Sequence, residues 1–382
     1  MTQWHIITGE YPPQPGGVSD YSRVVARGLA AAGDAVHIYA PESRSSDPDD
    51  VGVTIHRLSG HFGARALVQL SRLLGRGTED RLLLQYVPHA FGFKAMNFPF
   101  CLWLYAHTRK YGGAAVTFHE VNLGFHTGDP LRYRFLDMVT KVMAKLVARS
   151  AAQIFVSTPQ WESALRRYVA PHQAIAWLPV PNNIPVVVDP VRIAATRRRY
   201  ASACGPVIGH FGTYSPAIAA MLRNLVPLVL ADSPSSTMLL LGANGGAFRE
   251  SLTTEFPELT PRVIATGALP ADELSMAMAA CDVMAQPYPD GVTTRRTSIM
   301  TALEHGRAVV TTQGSFTEQM WARSGAVALL PVENSAAFAA AITELLRDEN
   351  QRQRYGAAAK ALYADRFDVR HTVEALRASL CA

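Results

Sequence analysis

A chain of 382 residues is long for one hydrophobic core and comfortable for two domains of ordinary size. With 48% hydrophobic and 18% charged residues it reads as a globular chain; no apolar run reaches bilayer-spanning length, and Met1-Thr2-Gln3 lacks the basic start of a signal peptide, so a cytoplasmic protein is expected. The net charge of +5 is uneven: residues 61–150 hold twelve Lys and Arg against five Asp and Glu, which suits an anionic partner as well as a solvated helix face.

Short β-rich runs then alternate with amphipathic helical runs. Strands are predicted at Trp4–Thr8, Ala35–Ala40, Thr54–Leu58, Arg81–Gln85, Ala114–Phe118, Gln153–Ser157 and Ala176–Leu178. Helical patterns lie between most of them, including Val18–Ala32 and Leu131–Arg149. Four prolines within residues 179–190 exclude a regular helix and suggest a stiff linker. The alternation restarts with strands at Val207–Phe211, Thr237–Leu241, Val263–Thr266, Val283–Gln286, Ala308–Thr311 and Ala326–Leu330. Helices are expected at Ala217–Ala231, Ala271–Ala280, Ser298–His305 and Ser335–Arg347, and in a tail broken near Asp365–Asp368. The fold class that follows is α/β, with two Rossmann-like, doubly wound parallel sheets facing across a cleft. The expected boundaries are 1–182 and 191–366, with 183–190 as hinge. Cys101, Cys204, Cys281 and Cys381 are far apart and read as reduced thiols.

Ligands of such sheets sit beyond the strands' carboxyl ends, so residues just after strands are the candidates. The first group is Tyr11-Pro-Pro-Gln-Pro-Gly-Gly-Val-Ser19, where Gly16 and Gly17 allow close backbone approach ahead of a helix N-terminus. It is neither a dinucleotide fingerprint nor a P-loop. His119 and Glu120 end a strand, where an imidazole can bond a substrate hydroxyl or shuttle a proton. Gly212, Thr213, Gly242 and Gly267 follow three strands of the second half and shape a nucleotide pocket by backbone contacts. The densest group is Gln286-Pro-Tyr-Pro-Asp-Gly-Val-Thr-Thr-Arg-Arg-Thr-Ser298. There the N–H groups at a helix start near Thr297 suit a diphosphate, Arg295 and Arg296 add charge-assisted contacts, and Asp290 accepts from sugar hydroxyls. Two arginines in a loop also fit a solvated pair. No His/carboxylate cluster is evident, so no metal is expected.

These segments resemble the retaining glycosyltransferases of family 4, with the two-domain GT-B fold. The resemblance rests on Pro12-Pro-Gln-Pro-Gly-Gly-Val-Ser-Asp-Tyr21, Gln85-Tyr-Val-Pro88, Pro179-Val-Pro-Asn-Asn-Ile-Pro185, Ala279-Ala-Cys-Asp-Val-Met-Ala-Gln-Pro287 and Ala302-Leu-Glu-His-Gly-Arg-Ala-Val-Val310. It implies transfer from a nucleotide sugar, UDP- or GDP-linked, with net retention and no metal or other cofactor. It places the leaving phosphate near Gly16 and Gly17 and His119 beside the transferred sugar. Asp290 joins His119 as a catalytic candidate. Leu269, Gly291, Thr293, Thr294 and Thr297 join the donor side, and Asp20, Tyr21 and Glu120 the acceptor side. It also implies that residues 367–382 return to the first domain. The chain departs from the family's Glu-x7-Glu, carrying Thr293 and Thr301 at those positions, and from its phosphate-binding Arg and Lys, carrying Thr213 and Ile218.

Two other functions remain open: an epimerase of the same fold, and a non-catalytic binder of a nucleotide sugar. The acceptor is a glycan, a lipid-linked sugar or a small molecule, and nucleic acid is not expected. The helix Leu131–Arg149 interleaves Arg132, Arg134, Lys141, Lys145 and Arg149 with Leu131, Phe135, Met138, Val142 and Leu146. That pattern fits packing on the chain's own sheet, the favoured reading, or peripheral contact with the inner membrane face.

Overall fold

The computed structural model describes residues 2–74, 80–122, 130–201 and 205–378. It has two compact units, one of Met1–Pro181 with Val369–Ala382 and one of Asn182–Asp368. Seven strands form the first sheet: β1 (Gln3–Thr8), β2 (Ala35–Pro41), β3 (Val53–Leu58), β4 (Asp80–Tyr86), β5 (Ala114–Phe118), β6 (Ala151–Val156) and β7 (Ile175–Trp177). Their order is β3-β2-β1-β4-β5-β6-β7, and every pairing is parallel. The second sheet comprises β8 (Val207–Phe211), β9 (Thr237–Leu241), β10 (Val263–Gly267), β11 (Val283–Gln286), β12 (Ala308–Gln313) and β13 (Ala328–Pro331). It runs β10-β9-β8-β11-β12-β13, again parallel throughout. Each predicted strand is present.

Central strands covered on both faces read as unbroken apolar runs, and Ile6, Ile7, Leu83 and Leu84 are fully buried. On one face of the first sheet lie the helices Gly17–Ala31 and Val369–Ala378, packed on Trp4, Ile6 and Ile38. On the other lie Ala64–Leu73, Phe98–Tyr111 and Leu131–Ser150, around Phe91, Phe100 and Val116. The last of these helices corrects a sequence expectation. It does pack on the sheet, but through Met143, Ala144, Val147 and Ala148. Of the apolar residues read as its packing stripe, Leu146 touches the core while Leu131, Phe135, Met138 and Val142 are exposed.

Among the described residues several helices were not legible as such, the short Gln319–Ser324 among them. Phe98–Tyr111 starts at the cap Asn97, whose side chain accepts from Phe100 N. Pro190–Tyr200 begins inside the proline-rich stretch, with Pro190 at the first helical position, whose N–H would have no partner within the helix, and Asp189 capping Arg192 N. The glycine run read as a loop, Gly242–Gly246, passes into the helix Gly245–Glu255. Cys101 and Cys281 are buried free thiols; Cys204 and Cys381 lie outside the described residues. No helix among the described residues is long and apolar enough to cross a membrane.

Candidate functional site

In each sheet the direction of strand addition reverses at one place, between β1 and β4 in the first and between β8 and β11 in the second. Loops diverge there and leave a crevice at the strands' carboxyl ends. Gly16, Gly17, Gly212, Thr213 and the loop from Pro287 to Arg296 follow the strands that border these two places, while His119 follows β5 and Gly242 and Gly267 stand at the ends of β9 and β10.

In the first unit the loop after β1 leads to Gly16 and the helix Gly17–Ala31. The N-terminal N–H groups of that helix are not simply open to an incoming anion. The Glu10 carboxylate accepts from Val18 N at 3.1 Å and Ser19 N at 3.0 Å. A Cβ on Gly16 would lie 2.3 Å from Glu10 Oε1, so a side chain there would have to displace the carboxylate, whereas Gly17 borders open space. Asp20 stands in the first helical turn, its N–H bonded to Gly16 O. Tyr21 is buried and meets the His119 ring edge-on at 4.6 Å.

His119 follows β5 and is held from three sides. Its N–H donates to Tyr86 O, its carbonyl accepts from Trp161 Nε1 at 2.9 Å, and its Nε2 lies 2.9 Å from Gln85 Oε1. The side chain is nearly enclosed, and burial pushes its pKa down to about 3. The ring is therefore neutral at physiological pH. With Nε2–H donated to Gln85, Nδ1 keeps the lone pair. Glu120, the next residue, is half-buried. Glu10 and Gln85 are the polar partners that sequence reasoning missed. Glu10 had a signal, an acid between a strand and a helix start.

In the second unit Gly212 follows β8, its N–H bonded to Leu241 O, and Thr213 O accepts from Asn244 Nδ2. Gly242, just after β9, and Gly267, the last residue of β10, pair as an isolated bridge. Leu269 lines a cavity of about 200 Å³ with Arg192, Arg199, Tyr200 and Glu273, on the side of the helix Pro190–Tyr200.

The loop from Pro287 to Arg296 is pinned to the end of β12 and the segment after it. Tyr288 N donates to Thr312 Oγ1, Val292 N to Thr312 O, and Phe316 N to Asp290 O. Gly291 has φ 84°, and a Cβ there would strike Gly314 N at 2.2 Å. Glu318 completes the anchorage, accepting from Thr294 N and Oγ1 on one oxygen and from Trp321 Nε1 on the other. No sequence spacing pointed to Glu318, which stands 24 residues beyond Thr294. The helix Thr297–Glu304 opens where this loop ends.

Arg295 and Arg296 both approach the Asp290 carboxylate, at 3.8 and 3.6 Å, and the Arg296 guanidinium lies 5.0 Å over the Tyr288 ring. In the same unit several polar side-chain atoms are buried without a hydrogen-bond partner: both of Gln286, His210 Nε2, Thr293 Oγ1 and Arg296 Nε. His210 Nδ1 donates to Ala285 O, and burial lowers its pKa to about 4, so Nε2 is a bare acceptor. Each unpaired buried polar group costs about 1–3 kcal/mol. His210 and Gln286 stand at the carboxyl ends of β8 and β11, where a ligand of such a sheet is expected. Thr301 plays another part. Its hydroxyl donates to Asn182 Oδ1 at 2.7 Å, fixing the segment that opens the unit, and Ile218 is a core residue. Among the described residues no group of three or more His, Cys, Asp and Glu is placed to hold a metal.

Comparison with known proteins agrees with this layout. A family model described as Glycosyl transferase 4-like domain matches residues 16–182, and one described as Glycosyl transferases group 1 matches residues 205–348. No curated protein sequence matches the chain. Among solved structures, sucrose-phosphate synthase from Thermosynechococcus elongatus superposes with TM-score 0.76 at 16% identity, covering 100% of this chain and 99% of that one. HepE from Anabaena, in complex with UDP and glucose, gives 0.71 at 15% identity over 100% of both chains. WaaG, a glycosyltransferase involved in lipopolysaccharide biosynthesis, gives 0.67 at 15% identity over 98% of both. At these identities the likeness is one of fold, the GT-B arrangement of two parallel-sheet domains.

Proposed function

The chain belongs to the glycosyltransferases, with a 4-like first domain and a group 1 second domain, and on that premise we propose that it moves a sugar from a nucleotide-sugar donor to an acceptor hydroxyl, with retention and without a metal ion. The observation that carries the donor assignment is the loop Pro287–Arg296. It brings two guanidiniums to the start of a helix, in a segment where Gln286 and Thr293 keep buried polar side-chain atoms unpaired. A diphosphate needs cationic neutralisation when taken out of water. Arg295 and Arg296 supply it in place of the Arg and Lys that the family carries where this chain has Thr213 and Ile218. Their contact with Asp290 is no obstacle, because contacts of 3.6–3.8 Å to a partly exposed carboxylate are worth about 0–1 kcal/mol. Asp290 then remains beside the two cations to accept from the sugar. A uridine donor is favoured by the fold's occurrence in HepE with UDP-glucose.

In the transfer the bond from the anomeric carbon to the diphosphate breaks, its electron pair leaving with the phosphate oxygen. The acceptor oxygen bonds the same carbon, and its proton passes to the leaving phosphate or to water. His119 is proposed to accept a hydrogen bond from the transferred sugar at Nδ1. Its low pKa makes it a poor proton carrier, so its part is orientation.

A second reading has one specific support: Thr301 is consumed in holding Asn182, so the family's second Glu has no functional replacement at that position. On that reading the chain binds a nucleotide sugar without turnover. A panel of UDP- and GDP-sugars decides between them. Thermal stabilisation together with transfer or donor hydrolysis supports the enzyme. Stabilisation without any product supports the binder, and no stabilisation by any nucleotide sugar sinks both.

A further inference from the structure

The three helices on one face of the first sheet share an outer surface of one chemical kind. The helix Leu131–Ser150 exposes Leu131 (80%), Phe135 (57%), Met138 (56%) and Val142 (43%). Their spacing of four, three and four residues is a single helical stripe. Lys145 and Arg149 continue the same stripe, and Arg132 and Arg134 flank its beginning, all four exposed. Buried Met143, Ala144 and Val147 already anchor the opposite face, so the outer stripe takes no part in holding the sheet. The neighbouring helix Phe98–Tyr111 exposes Phe98 and Leu102, with Arg109 and Lys110 in its last turn. Beyond it, Arg65, Val68 and Arg72 line an open cavity of about 580 Å³ on the helix Ala64–Leu73. The helices Ala64–Leu73 and Phe98–Tyr111 carry no acid, and Leu131–Ser150 carries one, Asp137, which is paired with Lys141.

We propose that this three-helix face docks on the surface of an anionic phospholipid bilayer. The proposal does not rest on the transfer reaction. Large apolar side chains beside Lys and Arg match the two layers that such a surface offers, acyl chain below and anionic headgroup above. A second copy of the chain fits poorly, since two faces with a single acid each would meet with like charge. A polyanion without a lipid phase would use the bases and leave Leu131, Phe135 and Met138 in water.

The test is co-sedimentation of the intact chain with vesicles of phosphatidylcholine alone and of phosphatidylcholine with phosphatidylglycerol, at physiological salt. Binding to the mixed vesicles and little to the neutral ones is expected. Each base near an anionic surface is worth about 1 kcal/mol, roughly fivefold in partitioning. Lys145→Glu with Arg149→Glu should therefore weaken binding by tenfold or more. Phe135→Ser with Met138→Ser should weaken it on the order of tenfold as well. All four positions are exposed, and unchanged melting temperatures would show that the variants are folded. Equal binding to neutral vesicles, binding to neither, or full binding by the Phe135/Met138 variant would overturn the proposal. So would a concentration-dependent dimer that the same variant dissolves while vesicle binding stays absent.

Discussion

His119 is defined by the loss of its proton. An imidazole whose pKa burial has driven to about 3 stays neutral across the range in which an ordinary histidine titrates. His119→Ala should remove most turnover while nucleoside diphosphate affinity changes little, because the side chain faces the sugar in the proposed arrangement. In the wild type, kcat/KM should show no His119 inflection between about pH 5 and 8. A free-enzyme inflection near pH 6.5 that disappears in His119→Ala would contradict the assigned role. The arginines allow a sharper comparison. If Arg295 or Arg296 reads the diphosphate, replacement by Met should weaken nucleoside diphosphate about 10- to 100-fold and leave nucleoside binding unchanged, charge-assisted bonds being worth about 1.5–3 kcal/mol. Calorimetric titration of both ligands against both single variants and the double variant checks it. Unchanged affinities throughout would return the pair to Asp290 and solvent. The two arginines were visible in the sequence as a dipeptide ahead of a helix. The contacts of Glu318 and His210 were not visible, because only the folding of β8, β11 and β12 side by side brings His210 to Ala285 and Glu318 to Thr294.

Strands were legible for a physical reason: in a parallel sheet covered on both faces, each reads as a short β-rich run between helical patterns. Helices were legible where one face is polar. Phe98–Tyr111 escaped because apolar side chains surround it, Phe100 and Leu104 inside and Leu102 outside. Pro190–Tyr200 escaped because its first residue is a proline. The β1–helix connection shows what pattern alone misses, since its double glycine reads as a phosphate loop while the structure places a carboxylate at the helix start. Gly16 has φ 171°, extended backbone that any residue adopts, so an alanine there costs only through contact with Glu10. Gly16→Ala should displace the Glu10 carboxylate and cost about 1 kcal/mol, the scale of a lost cap. In a Glu10→Ala background the same change should cost much less. Urea unfolding of the four proteins gives the coupling, and strict additivity would deny the contact. A second element-level effect concerns the imidazoles His5, His37 and His56, ranked across β1, β2 and β3 at 5.3 Å spacing, with Tyr39 and Asp80 as neighbours. Burial lowers the His5 pKa to about 4 against 6.5 unfolded. The unfolded chain thus takes up a proton first as pH falls. Stability is complete above about pH 6.5 and declines between there and pH 4, by a few kcal/mol at most. Denaturant midpoints in that window should rise on replacing His5 by Gln, relative to wild type at the same pH. A flat wild-type profile would show that His5 is not buried neutral.

The chain as a whole closes its first unit with its last helix. Val369–Ala378 lies on Gly17–Ala31, where a Cβ on Gly28 would stand 2.8 Å from Val373 Cγ2, so the absence of a side chain at Gly28 sets how near the two helices approach. Val373 and Leu376 are buried in the same cluster as Trp4, Val25 and Leu29. Arg377 reaches Asp34, 3.3 Å away, and donates to Ala32 O; Asp34 in turn accepts from Trp4 Nε1. The first 181 residues therefore do not contain the whole of their own core, and the second unit is an insertion between two parts of the first. Leu376→Ala should cost the first unit about 2–5 kcal/mol, the usual toll of a large-to-small change in a packed core. Ending the chain at Asp368 should cost more, since it also removes Val373 and the partner of Asp34. The loss should be confined to one unit. Hydrogen exchange should quicken at β1, β2 and the helix Gly17–Ala31, while amides of β8, β9 and β11 keep their protection. Nucleoside diphosphate affinity, assigned above to the second unit, should survive Leu376→Ala under conditions where both units remain folded. Equal acceleration in both sheets would mean that the two units unfold as one and that the terminal helix supports more than the sheet it covers.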